Sequence, residues 1–356
     1  MPKNDAHAAR NAGEEERTEP NDLSWVFEDD EFDTAATTAR ARPLEEPPLR
    51  PDEDTPHSVV AVGNAPPGIL STVLVLILIG LSAGLGWWGY RLASSGFEEG
   101  GALAGLGWQD ASVLILGKYL LWVVAGVGLA LATALSLHYH LLGPKVFAHG
   151  QDEVTVFSRV TRINHWLAAL SCTVLIVTGI GIMVGGTPGL EAILGGNEVI
   201  LLARHVHAAT TIVFTVSVVV MLLGWLTEML PRMADLRWLM VTGGYLSRKR
   251  QRIPAHMFNA GQKMWFWLIT LGGLVMTATG AAMFFIFGSR EFLGKVAIAH
   301  NALAIAIVAM YMVHVYMAVF AIRGTLGSML HGKKGRDELY VLHSLYHDEL
   351  EEHGEL

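Results

Sequence analysis

Six stretches of this chain are apolar over about 20 residues or more, the length that a helix needs to cross a hydrocarbon core. A backbone within lipid must satisfy its own hydrogen bonds, so each stretch is predicted to be a helix. The expected fold class is an all-α membrane protein with six transmembrane helices in the lipid bilayer. The stretches lie near 69–92, 112–142, 163–186, 199–229, 264–288 and 296–322.

Charge is distributed unevenly along the chain. Charged residues make up 16% of the sequence, against about 25% in a typical soluble domain. Residues 1–68 hold 16 acidic and 6 basic side chains and few large apolar ones, which predicts a disordered acidic tail. The first 30 residues lack the basic start and apolar core of a cleaved signal peptide. Nothing in this charge pattern indicates nucleic acid as a partner.

Lysine and arginine indicate the orientation. With the N-terminus inside, the inner segments carry 14 of these residues and the outer loops carry five. The positive-inside rule therefore predicts a multi-pass protein of the cell (inner) membrane with both termini in the cytoplasm.

The sixth stretch carries two histidines, His300 and His314, with no charged residue between them. Fourteen residues of helix rise about 21 Å and end within about 40° of whole turns, so both imidazoles point the same way at opposite depths. Ionisable side chains at bilayer depth are costly and usually functional, and imidazole is a ligand of haem iron. The pattern favours ligands for two stacked haems. The alternative is two hydrogen-bonded core histidines.

The predicted topology gives the other histidines a depth. His165 lies at the inner start of the third stretch, and His205 and His207 lie at the outer start of the fourth. His165 can therefore meet His314, whereas His205 or His207 can meet His300. Two residues are about 200° apart around a helix, so only one of these two faces the bundle, and periodicity does not choose. An iron with two histidine ligands transfers electrons without bond-making chemistry, so no catalytic residue is assigned.

Four short motifs occur in a specific order between 157 and 335. With His300, they resemble the cytochrome b (gamma) subunit of membrane-bound formate dehydrogenases, which is related to the b-type cytochromes of nickel–iron hydrogenases. The third motif precedes the aromatic run Trp265-Phe266-Trp267, which favours the formate dehydrogenase branch. The motifs are R-x-x-H-W at 162–166, A-R-H-V-H at 203–207, N-A-G-Q-K-M at 259–264 and H-V-Y-M at 314–317.

The resemblance implies two haem b groups and resolves the choice that periodicity leaves open. In the family, the ligand of the second core helix lies three residues after an arginine, which corresponds to His207 after Arg204. Arg162 and Arg204 precede ligands by one helical turn, so we expect them to pair with haem propionates. Snorkelling to the membrane interface is the alternative for both arginines. The implied axial ligands are His165 with His314 at the inner haem and His207 with His300 at the outer haem.

The resemblance also implies a quinone site beside the inner haem. Asn259, Gln262 and Lys263 would supply hydrogen-bond donors for the quinone carbonyl oxygens, and Gly261 would let the backbone come close. The alternative is that these residues begin a helix and that the lysine only sets the topology.

Four parts of the chain follow from these predictions. The minimal family form has four spans, so the N-terminal region is an addition. The parts are an acidic disordered cytoplasmic tail at 1–68, two additional transmembrane helices at 69–156, a four-helix dihaem cytochrome b domain at 157–335, and a cytoplasmic C-terminal tail at 336–356.

The function implied is electron transfer within a respiratory formate dehydrogenase complex. The chain would carry electrons from an iron–sulfur subunit through two b haems to menaquinone or ubiquinone. Substrate oxidation would belong to a molybdenum or tungsten pterin subunit, because this chain has no pterin motif and its lone cysteine, Cys172, cannot hold a cluster. The alternatives are a hydrogenase-type cytochrome b with another donor, and a haem-free membrane anchor or transporter with histidine proton relays.

Overall fold

The computed structural model describes residues 69–97, 119–147, 153–186, 190, 196–247 and 252–356. Six helices in these ranges are long and apolar enough to cross a membrane, so the predicted six-span helical fold is confirmed. The acidic tail predicted at 1–68 lies outside the described residues. In order, spans one to six are Thr72–Arg91, Leu120–Leu142, Arg159–Gly185, Asn197–Trp225, Ala260–Phe284 and Arg290–Ala321.

Three spans begin several residues before the predicted apolar stretches. These spans begin early because each has a capping residue in front of its first turn. That turn contains charged side chains, which hydropathy assigns to a loop. Ser158 and Ser289 accept hydrogen bonds from backbone N–H groups three residues later, at 3.2 Å in both cases. Asn259 does the same at span five. Capping overrides hydropathy at these positions, since a helix start needs acceptors for its free N–H groups.

Two spans contain a π-helical turn. Span five consists of helix Ala260–Trp267, the π turn Leu268–Gly272 and helix Gly273–Phe284. Span six consists of helix Arg290–Tyr316 and the π turn Met317–Ala321. Such turns are frequent at functional sites.

Short elements connect the spans. Span one lies within helix Ile69–Phe97. The short helices are Met233–Met240, Thr325–His331, Arg336–Leu342 and Ser344–Glu352, with a 3-10 turn at Thr242–Gly244. The strands are β1 (Lys145–Val146), β2 (Glu153–Thr155), β3 (Ile322–Arg323) and β4 (Lys333–Gly335).

Strand pairing places several connections at one end of the bundle. β1 pairs with β3 in parallel, and β2 pairs with β4 in antiparallel register. The end of span two and the start of span three therefore lie beside the end of span six. We call this end of the bundle, with the connection between spans four and five and the segment after span six, the C-terminal face. It corresponds to the face that the charge distribution predicts to be cytoplasmic.

Spans three to six share one buried apolar cluster, which forms a four-span core. Spans one and two pack beside this core. Ser82 of span one and Thr133 of span two are joined by a 2.8 Å hydrogen bond. Span two is tied to span six, because His138 Nδ1 lies 2.6 Å from the hydroxyl of Tyr316. The core cluster consists of Cys172, Phe214, Val218, Ile269 and Ile307.

The segment predicted as a C-terminal tail is folded. Its two short helices bury Leu339, Leu342 and Leu350, and the N–H of Ile253 donates to the carbonyl of Val341 at 2.7 Å. The segment is rich in charge but places its leucines on packed surfaces, which a reading by composition does not detect. It is therefore part of the C-terminal face.

A buried histidine lies in this segment. His343 is 2% exposed, its Nδ1 lies 2.8 Å from the His256 carbonyl, and its Nε2 lies 3.2 Å from Lys334 Nζ. The lysine, which also pairs with the buried carboxylate of Glu338 at 3.1 Å, donates to Nε2. Burial and the Lys334 charge hold the pKa of His343 well below its usual range, so the ring is neutral.

Acidification should weaken this packing. A histidine whose pKa is depressed by folding contributes stability above its unfolded pKa, about 6.5, and loses that contribution as the pH falls below it. We expect the thermal midpoint in detergent to fall between about pH 7 and pH 5, with a shallower slope in H343Q. The variant should also be less stable at pH 7 by about 1–3 kcal/mol, because the Lys334 ammonium and the His256 carbonyl lose the imidazole that they hydrogen-bond.

The control is H353Q, since His353 is exposed in the last turn of the same segment. It should keep the parental slope. An unchanged slope in H343Q would contradict the assignment of this pH dependence to His343.

Candidate functional site

His165 and His314 face each other at the C-terminal face. Their ring centroids are 6.3 Å apart and their planes are inclined by 53°. With metal–imidazole bonds of about 2 Å, two rings on opposite sides of one metal have centroids about 6 Å apart. The separation therefore fits two axial ligands of one iron. The early turns of span three and the last α-helical turn of span six bring the residues together.

Aromatic side chains surround this pair, which we call the tryptophan-flanked pair. Trp265 stacks on His314 with centroids 5.3 Å apart and an angle of 20°, and Trp166 meets the His165 ring edge-on at 5.6 Å. The Nδ1 of His165 is buried and has no hydrogen-bond partner among the described residues. The surroundings are apolar and suit a neutral imidazole ligand.

His207 and His300 form the second pair, near the other end of the core. Both rings face the interior of the core, where each lies within hydrogen-bond distance of a threonine on a neighbouring span. Thr178 Oγ1 lies 2.8 Å from His207 Nδ1, and Thr279 Oγ1 lies 2.9 Å from His300 Nδ1. We call this the threonine-linked pair.

Glycines lie against the same two rings. A Cβ on Gly179 would be 3.5 Å from His207 Cε1, and a Cβ on Gly280 would be 3.5 Å from His300 Cε1. Each ring therefore lies beside bare backbone. Sequence reasoning missed these threonines and glycines. The signal was present as a Thr-Gly dipeptide at 178–179 and again at 279–280, in two different spans.

The structure places His205 and His207 differently. His205 is exposed, and its Nδ1 lies 2.8 Å from the carbonyl of Leu201 in its own helix. His207 points into the core toward span three. The placement favours His207, and its role as a ligand stays a prediction.

The two arginines also differ. Arg162 donates from Nη1 to the carbonyl of Leu330, and its buried Nε has no hydrogen-bond partner among the described residues. Arg204 is exposed. A propionate contact remains a prediction for both, and the buried Nε leaves Arg162 a donor to offer.

The N-A-G-Q-K-M turn is used to begin span five. Asn259 Oδ1 accepts from the Gln262 N–H at 3.0 Å, and Gln262 Oε1 accepts from the Asn259 N–H at 2.9 Å. This reciprocal arrangement is a capping box. A Cβ on Gly261 would lie 3.0 Å from the Trp238 ring, so glycine lets the tryptophan pack there.

Lys263 joins this turn to the helix before it. Its ammonium lies 2.8 Å from Asp235 Oδ2 and donates to the Leu230 carbonyl at 3.0 Å. Both charged side chains are largely buried, at 6% and 15% exposure. These contacts match the alternative in which the turn begins a helix. A quinone-binding role of the turn stays a prediction.

A tyrosine that sequence reasoning did not select lies at this turn. Tyr245, in the connection before span five, lies close to the Asn259 side chain. Burial and the Glu338 carboxylate raise the pKa of Tyr245, so its hydroxyl keeps its proton at neutral pH. The turn therefore holds a neutral hydroxyl donor next to Asn259.

Comparison with known proteins identifies the core. Residues 156–332, about half of the chain, match the sequence model of the family "Prokaryotic cytochrome b561". This range contains spans three to six and both histidine pairs. A cytochrome b carries haem b, and the donor sets described above fit that group, since each pairs two imidazoles in an apolar environment.

Similar curated proteins are cytochrome subunits. "Formate dehydrogenase, cytochrome b556 subunit" of Haemophilus influenzae is 27% identical over 176 residues, which cover 48% of this chain and 72% of that protein. In Escherichia coli K12, the nitrate-inducible cytochrome b556(Fdn) subunit is 24% identical over 197 residues, covering 54% and 89%. The cytochrome b556(fdo) subunit of the same strain is 24% identical over 193 residues, covering 51% and 86%.

The matched range and the six apolar helices lead to the same conclusion. The chain is a multi-pass membrane protein. Its four-span core, within residues 156–332, belongs to the prokaryotic cytochrome b561 family.

Proposed function

We propose that the chain is the membrane cytochrome subunit of a formate dehydrogenase-type respiratory complex. It carries electrons from an iron–sulfur subunit through two b haems to quinone. The observation that carries this proposal is the pair of histidine sites at opposite ends of one four-span core, with span six contributing to both. The proposed axial ligands are His165 with His314 and His207 with His300.

The two sites are spaced for electron transfer across the membrane. His300 and His314 are separated by about 21 Å of helix rise, most of the roughly 30 Å thickness of a hydrocarbon core. When bound, each haem supplies a one-electron couple. The chain contributes neutral ligands, and the rings of Trp166 and Trp265 exclude water at the tryptophan-flanked pair.

The donor must be another subunit. Cys172, the lone cysteine, is buried in the core cluster, so it cannot serve an iron–sulfur cluster at the surface. The relatives named above are subunits of formate dehydrogenases, which supports formate as the upstream substrate and a molybdenum or tungsten pterin subunit as the catalytic partner. Electrons enter at the threonine-linked pair and leave at the tryptophan-flanked pair.

The orientation of the complex follows from charge. The C-terminal face carries most of the lysines and arginines of the connections, which supports a cytoplasmic location for both termini in the cell (inner) membrane. Electrons received outside and protons taken up inside would contribute to a protonmotive force. The four parts proposed for the chain remain 1–68, 69–156, 157–335 and 336–356, with the last part packed on the C-terminal face.

Quinone, menaquinone or ubiquinone, is reduced at the C-terminal face beside His314. Its carbonyl oxygens need donors, and its reduction takes two protons for every two electrons. Asn259 keeps an amide N–H₂ that the capping box does not use, and the Tyr245 hydroxyl lies next to it. Gly261, Gln262 and Lys263 shape the turn that holds these donors in place.

Haem content tests the ligand assignment. H207Q should lose one of the two b haems, because glutamine does not replace an imidazole ligand, whereas H205Q should retain both. The measurements are the haem-to-protein ratio by pyridine haemochrome and the reduced-minus-oxidised spectrum. Loss of a haem only on changing His205 would refute the assignment, and absence of a b-type band in the parent protein would refute the haem proposal.

Quinone reduction tests the proposed acceptor site. N259D keeps the carboxyl oxygen that caps span five but removes the amide donor. We expect it to keep both haems and to slow re-oxidation of the reduced haems by added quinone about tenfold, the effect of losing one hydrogen bond of about 1.4 kcal/mol.

Stopped-flow absorbance of the b band measures this rate. S289D is the matched control, because it changes the cap of span six at the opposite end of the core. It should react at the parental rate. A parental rate in N259D would show that quinone does not depend on this amide.

Partner identity tests the upstream donor. Purification of the full chain from its native membrane in mild detergent should co-isolate a pterin-containing subunit and an iron–sulfur subunit, identified by mass spectrometry and metal analysis. Co-isolation of a nickel–iron subunit would instead establish the hydrogenase-type alternative.

A further inference from the structure

The threonine-linked pair has a repeated arrangement that the tryptophan-flanked pair lacks. Span three offers Thr178 and Gly179 to His207, and span five offers Thr279 and Gly280 to His300. Within this pair, both ligands have the same hydroxyl contact to Nδ1 and the same glycine beside Cε1. Because two different spans supply the same threonine and glycine contacts, the packing of a single helix does not account for them.

At His207 the hydrogen bonds determine where the ring proton lies. Thr178 Oγ1 is 2.7 Å from the Val174 carbonyl, which only accepts, so the hydroxyl hydrogen points there. The hydroxyl oxygen must then accept from His207 Nδ1. Nδ1 therefore carries the hydrogen, and Nε2 keeps the lone pair that would bind iron.

The same reasoning applies at His300. Thr279 Oγ1 donates to the Val275 carbonyl at 2.7 Å, so its oxygen accepts from His300 Nδ1. Both rings of this site are therefore held with the hydrogen on Nδ1, which would leave Nε2 free to bind iron, and both Nδ1–H groups have a threonine acceptor.

The tryptophan-flanked pair differs in this respect. His165 Nδ1 has no hydrogen-bond partner among the described residues, and His314 stacks on the face of Trp265. An acceptor on the Nδ1–H of a ligating imidazole raises the basicity of the ligand, which favours the ferric state. The two haems should therefore differ in reduction potential, and the hydrogen bonds predict the sign of the difference.

We propose that Thr178 and Thr279 are positioning residues that lower the reduction potential of the haem held by His207 and His300. This inference rests on the proposed haem ligands. With haem bound at both pairs, a lower potential at the threonine-linked pair would favour transfer of one electron from its iron to the iron held by the tryptophan-flanked pair, with no proton transfer. The two threonine hydrogen bonds would thus give the electron path its direction.

The experiment is a redox titration of the purified full chain, followed at the b band, on T178V and T279V. Each variant should raise the lower of the two midpoint potentials by up to about 59 mV. This shift corresponds to a tenfold change in the equilibrium constant of a one-electron reduction. The higher potential should not move. H207Q identifies the lower-potential component, because that component should disappear.

Two sets of variants separate this role from packing. T178S and T279S keep the hydroxyl and should keep the parental potentials. T277V is the matched control, because Thr277 lies two residues before Thr279 in span five but hydrogen-bonds Thr215 at 2.8 Å instead of a histidine. It should leave both potentials unchanged.

The outcomes are distinct. An unmoved lower potential in both valine variants, or a shift of the higher one, would overturn the inference. If a valine variant loses its haem, retention with the parental potential in the serine variant supports the hydroxyl role, and loss in both overturns it. If H207Q and H300Q each keep both haems, the haem proposal itself fails, which the threonine variants alone would not show.

Discussion

A membrane-spanning helix can hold an imidazole only where the surroundings make up for lost water. Span six holds two, one near each end of the core, and every other element of the site is arranged around them. Span three places His165 opposite His314 and contributes Thr178 and Gly179 to the threonine-linked pair. Span four supplies His207, the partner of His300. Because hydrocarbon penalises unpaired polar groups, the positions of these few side chains constrain how the four spans pack.

The two ends of the core meet this constraint in different ways. At the threonine-linked pair, threonine hydroxyls lie within hydrogen-bond distance of the ring nitrogens and donate to backbone carbonyls of their own helices. At the C-terminal face, the tryptophans cover the rings. The connections there carry a buried lysine–aspartate pair and a buried lysine–glutamate pair. A charged pair is tolerated at this face because each partner is satisfied by neighbours.

Much of the fold was predictable. Six spans follow from hydropathy, and the pairing of His165 with His314 and of one outer histidine with His300 follows from alternation of the chain across the bilayer. The helix starts were less accessible, since Ser158 and Ser289 cap turns that hydropathy assigns to loops. Residues 336–356 were interpreted as a tail for a similar reason, because composition does not show that leucines between charged residues are packed.

The sequence by itself determined the number of spans, the one span that carries a histidine of each pair, and the position of each histidine along its span, because these depend on hydrophobic length and helical rise. Only the tertiary structure decided which histidine of the A-R-H-V-H motif points into the core, and that Thr178 and Thr279 contact ring nitrogens. It also showed that Asn259 and Gln262 cap a helix. Such contacts join residues far apart in the chain or depend on side-chain direction, and neither length nor periodicity specifies them.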